Sequence, residues 1–264
     1  MGALTPQQAL SLYGSENPFR SPIAYAHSNY SATHSDTLVR LLDWREPSPQ
    51  MKMAHNALRG FIAGETFSCA GGKAALASDG YRFGYYPHLG DEDVSQGLAR
   101  DLAAFVTEYP HMPQRYKSFI AIFGDGLMNE HAFEERLWTQ LRMLHDLDRP
   151  HFEWDAHVSS DPKDPRFAFS FAGTAFFVVG MHPGSSRVSR RFAHPAMAFN
   201  PHGQFRELRS SGRFERVQRA VRSRELAVQN SLNPNLAAYG EVSEARQYSG
   251  RAVEAAWTCP FHQR

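Results

Sequence analysis

The hydrophobic pattern of the chain alternates between helical periodicity and short apolar runs, which predicts a protein of mixed helices and strands. Leu98, Leu102 and Phe105 fall on one face of a helix, whereas 176–179 is apolar enough for a strand buried on both faces. Helices are predicted over 51–65, 96–109, 130–147 and 204–228. Strands are predicted over 81–86, 117–123, 167–171, 175–180 and 196–199.

The order of these elements favours an α+β fold. Some strands follow one another as hairpins rather than as β-α-β units, so we expect a single domain with a mainly antiparallel central sheet flanked by helices. That domain covers residues 51–264. Residues 1–50, rich in Ser, Pro, Asn, His and Tyr, predict an irregular arm packed on it, with one helix over 35–44. The glycines within 66–76 predict a turn.

Composition narrows the class of protein. Hydrophobic residues make up 42% of the chain and include 19 Phe, enough for a substantial core. A formal net charge of +1 gives no general attraction to nucleic acid or membranes. Cys69 and Cys259 are the two cysteines, which argues against a disulfide framework and favours a reducing cytoplasm. The N-terminus lacks the features of a signal peptide, and no stretch reaches the ~18 apolar residues that span a bilayer.

A histidine follows shortly after the end of each of two predicted strands. His182 follows the strand over 175–180 and His202 follows the strand over 196–199. If these strands are neighbours, we expect both imidazoles at the same end of the sheet. Imidazole is a good axial ligand for haem iron, and Cys259, followed by proline, offers a thiolate instead. No nucleotide-binding fingerprint and no compact zinc motif is present in the sequence.

A cluster of arginines follows His182. Arg187, Arg190 and Arg191 lie within nine residues of it, and a guanidinium can hold a carboxylate such as a haem propionate through two hydrogen bonds. Neighbouring residues of an extended segment point in opposite directions, so we expect Arg187 and one of the other two to serve. The alternative is a solvated basic turn at a strand end.

Several long motifs together resemble one protein family. FSFAGTAFFVVGMHPGSSRVSRRF, AFNPHGQFRELRSSGRFERVQRAVRSRE, GEVSEARQYSGR and WTCPF are similar to the haem-dependent guanidine N-hydroxylase branch of the YqcI/YcgG family. This branch includes the guanitoxin-pathway N-hydroxylase and is related to arginine N-hydroxylases of D-cycloserine-type pathways. The resemblance runs from about Phe61 to Phe261. The branch usually has Phe-Pro-Cys where this chain has Phe67-Ser68-Cys69.

The resemblance implies a haem b enzyme that hydroxylates a guanidine nitrogen of L-arginine or of an arginine-derived guanidine in natural-product biosynthesis. O2 with an electron donor, or peroxide, would be the oxidant. We expect His182 as the iron ligand, with His202 as the alternative and Cys259 third. A charged guanidinium needs a carboxylate, and the candidates are Glu65, Glu241 and Glu244.

A second class of function stays open at this point. A haem-binding protein without turnover, such as a carrier or a gas or redox sensor, would use both histidines as ligands and leave no place for O2. Whether the chain forms a homodimer is also open. No nucleic-acid or membrane partner is expected.

Overall fold

A seven-stranded open sheet forms the centre of the protein, and the computed structural model describes residues 17–34, 36–236 and 241–261. The strands are β1 (Ser31–His34), β2 (Thr37–Arg40), β3 (Tyr81–Tyr86), β4 (Ser118–Phe123), β5 (Phe169–Phe171), β6 (Thr174–Met181) and β7 (Ala196–Pro201). Their order in the sheet is β2-β1-β3-β4-β7-β6-β5. Among the described strand pairs of this sheet, only β3 and β4 are parallel, so the α+β class with a mainly antiparallel sheet is confirmed.

Helices cover both faces of this sheet. They are α1 (Pro22–His27), α2 (Pro49–Ala63), α3 (Ala70–Ala77), α4 (Glu92–Glu108), α5 (Glu130–Asp148), α6 (His202–Ser210) and α7 (Phe214–Gln229). Helices α4 and α5 pack on one face together with Phe176, Val178 and Phe199. Helix α2 packs on the other face, against Ile120 and Met181. In the described ranges, no helix is long and apolar enough to cross a membrane.

Strand β6 shows how the sequence divides between these faces. Successive side chains of a strand point to opposite sides. Phe176 and Val178 therefore lie in the core under α4 and α5, whereas Val179 and Met181 face the layer of α2. Gly180 lies on the α5 side, where a Cβ would come within 2.6 Å of Phe133 Cε1. The absence of a side chain at this position lets α5 approach the strand closely.

In the N-terminal region the predicted helix is wrong, and the predicted irregular arm is irregular only in part. The helix expected over 35–44 is replaced by strand β2, which pairs with β1 through a turn in which Asp36 has a φ of 59°. Burial alternates along β2, with Leu38 and Arg40 inside, as a half-buried strand requires. The described part of the expected irregular arm is thus partly regular, because it adds two strands to the sheet. Residues 1–16 and 35 lie outside the described residues.

The structure also differs from two sequence predictions for elements that lie on the face of the sheet opposite α4 and α5. The segment 66–76, expected as a turn, begins helix α3, in which Cys69 is the N-cap residue. The single helix expected over 204–228 is two helices, because the chain turns at Gly212 with a φ of 64°. Both changes bear on the candidate site, since α3, α6 and α7 enclose the pocket described below.

Candidate functional site

A pocket of about 360 Å³ lies between the sheet and helices α3, α6 and α7. Its floor is the face of the sheet that carries Phe177, Val179 and Ala198. Its volume is in the range of small-molecule and cofactor sites, and its walls are largely apolar. The charged, thiol or imidazole side chains that line it are Cys69, Lys117, Arg190, His202, Arg209, Arg222, Glu225 and Glu244.

The thiol of Cys69 enters this pocket from the start of α3. As the N-cap residue it accepts a hydrogen bond at Sγ from the Gly72 N–H, at 3.3 Å. Gly72 is tightly enclosed, since a Cβ there would lie 2.9 Å from Phe67. The sulfur is therefore presented by a rigid turn. Cys69 was not among the sequence-predicted site residues, although a cysteine directly before an Ala-rich helical run was a usable signal.

Of the three arginines that follow His182, Arg190 lines the pocket, whereas Arg187 and Arg191, the two expected at the site, do not. Nη1 of Arg190 donates to the Gly180 carbonyl at 3.0 Å, and among the described residues no carboxylate forms an ion pair with it. Burial lowers the pKa of Arg190 to about 10, and Glu225 and Cys69 act on it electrostatically in the opposite direction. Arg190 is thus a fixed cation at the edge of an apolar pocket.

Arg187 and Arg191 have structural contacts instead. Arg187 is buried and its Nη2 lies 2.6 Å from Glu225 Oε1, which joins the loop after β6 to helix α7. Arg191 is exposed and donates through Nε to the Ser185 carbonyl at 2.8 Å. Neither lines the pocket, so the expected pairing of Arg187 with a propionate has no support from its contacts.

Buried His202 and partly buried Glu244 form a pair at the pocket wall. Nε2 of His202 lies 2.9 Å from Glu244 Oε1, and the Tyr248 hydroxyl donates to the same oxygen at 2.8 Å. These two contacts fix the orientation of the carboxylate. Among the carboxylates predicted to orient a guanidinium, Glu244 lines the pocket, whereas Glu65 and Glu241 are exposed and do not.

His182 lies on the other face of the sheet. Its ring stacks on Phe133 of α5 with centroids 4.3 Å apart, and it has no exposed surface. Neither ring nitrogen has a hydrogen-bond partner in the described part of the chain, although the Met128 backbone is near enough to act on the ring. Burial lowers the pKa of His182 and so favours the neutral imidazole. His182 does not line the pocket.

The expectation that His182 and His202 share one end of the sheet is wrong. Strands β6 and β7 are neighbours, but they run antiparallel, with Phe176 opposite Pro201 and Met181 opposite Ala196. His182 therefore lies beyond one end of the ladder and His202 beyond the other, roughly 24 Å apart along the strands. This separation excludes a single metal bound by both histidines of one chain.

Cys259, the third expected ligand, packs beside the α4 and α5 core rather than in the pocket. Burial raises the pKa of the Cys259 thiol to about 12, which disfavours a thiolate there. Both cysteines are free. Among the described residues, no group of three or more His, Cys, Asp or Glu side chains is arranged to hold a metal ion.

Comparison with known proteins gives one finding. The family model described as YqcI/YcgG matches residues 58–262, which include β3 to β7, helices α3 to α7 and the pocket between them. Neither the comparison with curated proteins nor the comparison with solved structures gives a match.

Proposed function

The chain belongs to the YqcI/YcgG family, and we propose that it is a haem-dependent N-oxygenase that hydroxylates a guanidine nitrogen of L-arginine or of an arginine-derived guanidine. One observation carries this proposal. The main pocket combines apolar walls with a thiol, an imidazole and a cation that has no carboxylate partner among the described residues. These are the groups that a haem requires: apolar contact for the macrocycle, an axial donor for iron, and a partner for its propionates.

The residues of the pocket fit this cofactor. Phe177 and Val179 on the sheet and Val217 and Val221 on α7 supply apolar surface. The Arg190 guanidinium, fixed by the Gly180 carbonyl, is suited to pair with a propionate. When bound, haem supplies the oxidising chemistry that activates O2 or peroxide. An electron donor would be needed with O2.

Cys69 is the axial ligand that we favour, in place of His182. Its sulfur lines the pocket, and a backbone N–H already donates to it, as suits a thiolate ligand. His202 also lines the pocket, but its Nε2 is engaged with Glu244. In this proposal His202 positions the carboxylate.

Glu244 is the residue that we expect to hold the substrate guanidinium. The carboxylate is oriented through Oε1 by His202 and Tyr248, which leaves Oε2 to accept from a guanidinium N–H. A guanidinium stays charged near neutral pH, so an anionic partner favours its binding and sets which nitrogen is presented. Glu241 and Glu65 lie outside this wall.

The decisive experiment for the cofactor compares the two cysteines. Purified protein should show a Soret band, and its ferrous carbonyl form should show the strong red shift typical of thiolate ligation. Cys69→Ser should lose this spectrum, whereas Cys259→Ser should keep it. A spectrum unchanged in Cys69→Ser and lost in His202→Ala would assign the ligand to His202.

Activity is tested separately. Protein incubated with L-arginine, reductant and O2 should yield a product that gains one oxygen, detected by mass spectrometry. Glu244→Gln should raise the arginine concentration needed to perturb the Soret band, because the charge that favours the guanidinium is removed. A haem protein whose spectrum ignores arginine and other guanidines, and which forms no product, would contradict the proposed substrate class.

A further inference from the structure

Three oxidisable aromatic rings lie in consecutive contact between the residues of the pocket wall and the surface. The rings of Tyr248 and Trp138 are stacked, with centroids 5.7 Å apart and planes 22° apart. Trp138 in turn contacts Trp257, with centroids at 6.2 Å. Tyr248 and Trp138 are almost fully buried, whereas Trp257 is partly exposed. The chain of rings therefore connects the interior with solvent.

The inner end of this series is joined to the pocket. The Tyr248 hydroxyl donates to Glu244 Oε1 at 2.8 Å, and Glu244 lines the pocket. Phe177, which also lines the pocket, packs edge-on against the Tyr248 ring with centroids at 6.0 Å. An electron taken from Tyr248 can thus be accompanied by transfer of its proton to a carboxylate that is already in contact.

The outer end has a proton acceptor as well, and the middle does not. The Trp257 indole N–H donates to Glu134 Oε1 at 3.2 Å. Nε1 of Trp138 is buried and has no partner in the described ranges. Once oxidised by one electron, Trp138 cannot lose its proton to a neighbouring group, so its radical cation is not stabilised. The oxidised state is therefore stabilised by proton transfer at Tyr248 and Trp257, whereas Trp138 only transfers the electron between them.

Packing alone does not account for this choice of residues. Phe is the commonest residue in the core around these rings, is much harder to oxidise and fills similar space. Nε1 of Trp138, like Nε1 of Trp154, is buried without a partner among the described residues, which costs stability that a Phe would not. Tyr248, Trp138 and Trp257 are instead easily oxidised rings in consecutive contact.

We infer that Tyr248, Trp138 and Trp257 form a one-electron relay between the pocket and the protein surface. The inference rests on the proposed oxidative function of the pocket. Reduction of a peroxide in the pocket breaks its O–O bond and consumes two electrons, together with two protons from solvent, to give water or an alcohol and water. Each electron is taken from Tyr248 in a separate step, in which the Tyr248 proton moves to Glu244. Trp138 returns an electron to Tyr248, which recovers its proton from Glu244. Trp257 then reduces Trp138 and releases its indole proton to Glu134.

The net effect is that one electron and one proton leave Trp257 for each oxidising equivalent left unused in the pocket. A reductant in solution, such as a thiol or ascorbate, restores Trp257. The relay would protect the pocket when peroxide arrives without a guanidine substrate.

The test uses haem-loaded protein, hydrogen peroxide and no substrate. After a limited exposure, oxygen addition to each tryptophan is quantified by mass spectrometry. Trp44 is 70% exposed and serves as an internal control for oxidation directly from solution. The relay predicts that Trp257 is oxidised more than Trp44, although it is less exposed. Trp138→Phe and Tyr248→Phe should each abolish the excess at Trp257 and leave Trp44 unchanged.

Trp154→Phe is the matched control, because Trp154 contacts Phe261 in the same aromatic cluster and not Trp138. It should keep the oxidation of Trp257. Because Trp138→Phe could weaken the fold, Trp257→Phe provides a second measurement: freeze-quench electron paramagnetic resonance should then show a longer-lived inner radical. Oxidation of Trp257 and Trp44 in the order of their exposure, unaffected by Trp138→Phe, would overturn the relay.

A second arm needs no haem and separates this inference from the proposed function. A ruthenium photosensitiser is attached to Cys69 in a Cys259→Ser background, and a flash with an oxidative quencher generates the oxidant in the pocket. Transient absorption should show tyrosyl and then tryptophanyl radicals, with the tryptophanyl signal lost in Tyr248→Phe. If the protein binds no haem but the flash still produces these radicals, the inferred relay is supported and the cofactor proposal is contradicted. No radical in either arm would refute the relay itself.

Discussion

At the scale of single residues, Asp148 shows how burial alters a carboxyl group. Asp148 is 4% exposed, and its one described partner is the Ala172 N–H at 2.8 Å. Burial raises the pKa of Asp148 to about 7. A carboxyl group whose pKa rises on folding binds more protons in the folded than in the unfolded state between about pH 4 and 7. Its contribution to stability is therefore lost as the pH rises through this window.

We predict that Asp148→Asn stabilises the protein above pH 7, by up to about 4 kcal/mol, and has little effect near pH 4. The amide oxygen can still accept from Ala172, and the cost of ionising the buried carboxyl is removed. Urea unfolding of both proteins across this pH range measures the difference. Asp164 provides a control of opposite sign, because Arg166 lowers its pKa to about 2. Asp164→Asn should lose stability at neutral pH, and a gain there would contradict the argument.

At the scale of elements, the ion pair between Arg187 and Glu225 attaches helix α7 to the loop after β6. Both side chains are less than 10% exposed, and Arg187 also donates to the Ser231 and Leu232 carbonyls. Removing one member of a buried pair leaves the other charge uncompensated. Since α7 covers the pocket, this contact fixes part of the pocket wall.

We predict that Arg187→Ala lowers the free energy of unfolding by about 3 kcal/mol. Arg191→Ala, four residues away and exposed, should change it by less than about 0.5 kcal/mol. Denaturant unfolding of both variants measures this. Arg187→Ala with full stability but reduced haem content would instead support the role in propionate binding that the sequence suggested.

At the scale of the whole molecule, the sheet separates two layers with different tasks. Helices α4 and α5 pack on a face of tightly buried aromatic side chains, whereas α3, α6 and α7 enclose the pocket on the other face. Ligand binding should therefore change the stability of the helices on the pocket side of the sheet and not of those on the other side. Helix α7 makes few contacts with the sheet other than across the pocket, so filling the pocket should order it.

We predict that added haem increases the protection of amide hydrogens in α3, α6 and α7 and leaves α4 and α5 nearly unchanged. Hydrogen–deuterium exchange with mass spectrometry, with and without haem, measures this. Equal protection of both layers would place the ligand elsewhere or indicate a general stabilisation. Protection confined to α5 around His182 would restore that histidine as the ligand.

The sequence by itself determined most of the elements and the class of the fold. Apolar spacing within one segment is a local property, and it located α4, α5 and the strands β3, β4, β6 and β7 within a few residues. Hairpin-like succession correctly indicated a mainly antiparallel sheet. The family was also visible in the motifs, and the match over residues 58–262 agrees with it.

Only the tertiary structure decided which side chains share a site. Side chains of successive residues in a strand point to opposite faces. Val179 and Met181 face the pocket side, so His182, the next residue after Met181, lies on the opposite face. The antiparallel direction of β6 and β7 moved His202 to the other end. The glycines around Cys69 predict a turn, whereas in the structure the Cys69 side chain caps helix α3. A strand's sequence does not encode its direction or its partner, because both depend on contacts with distant segments.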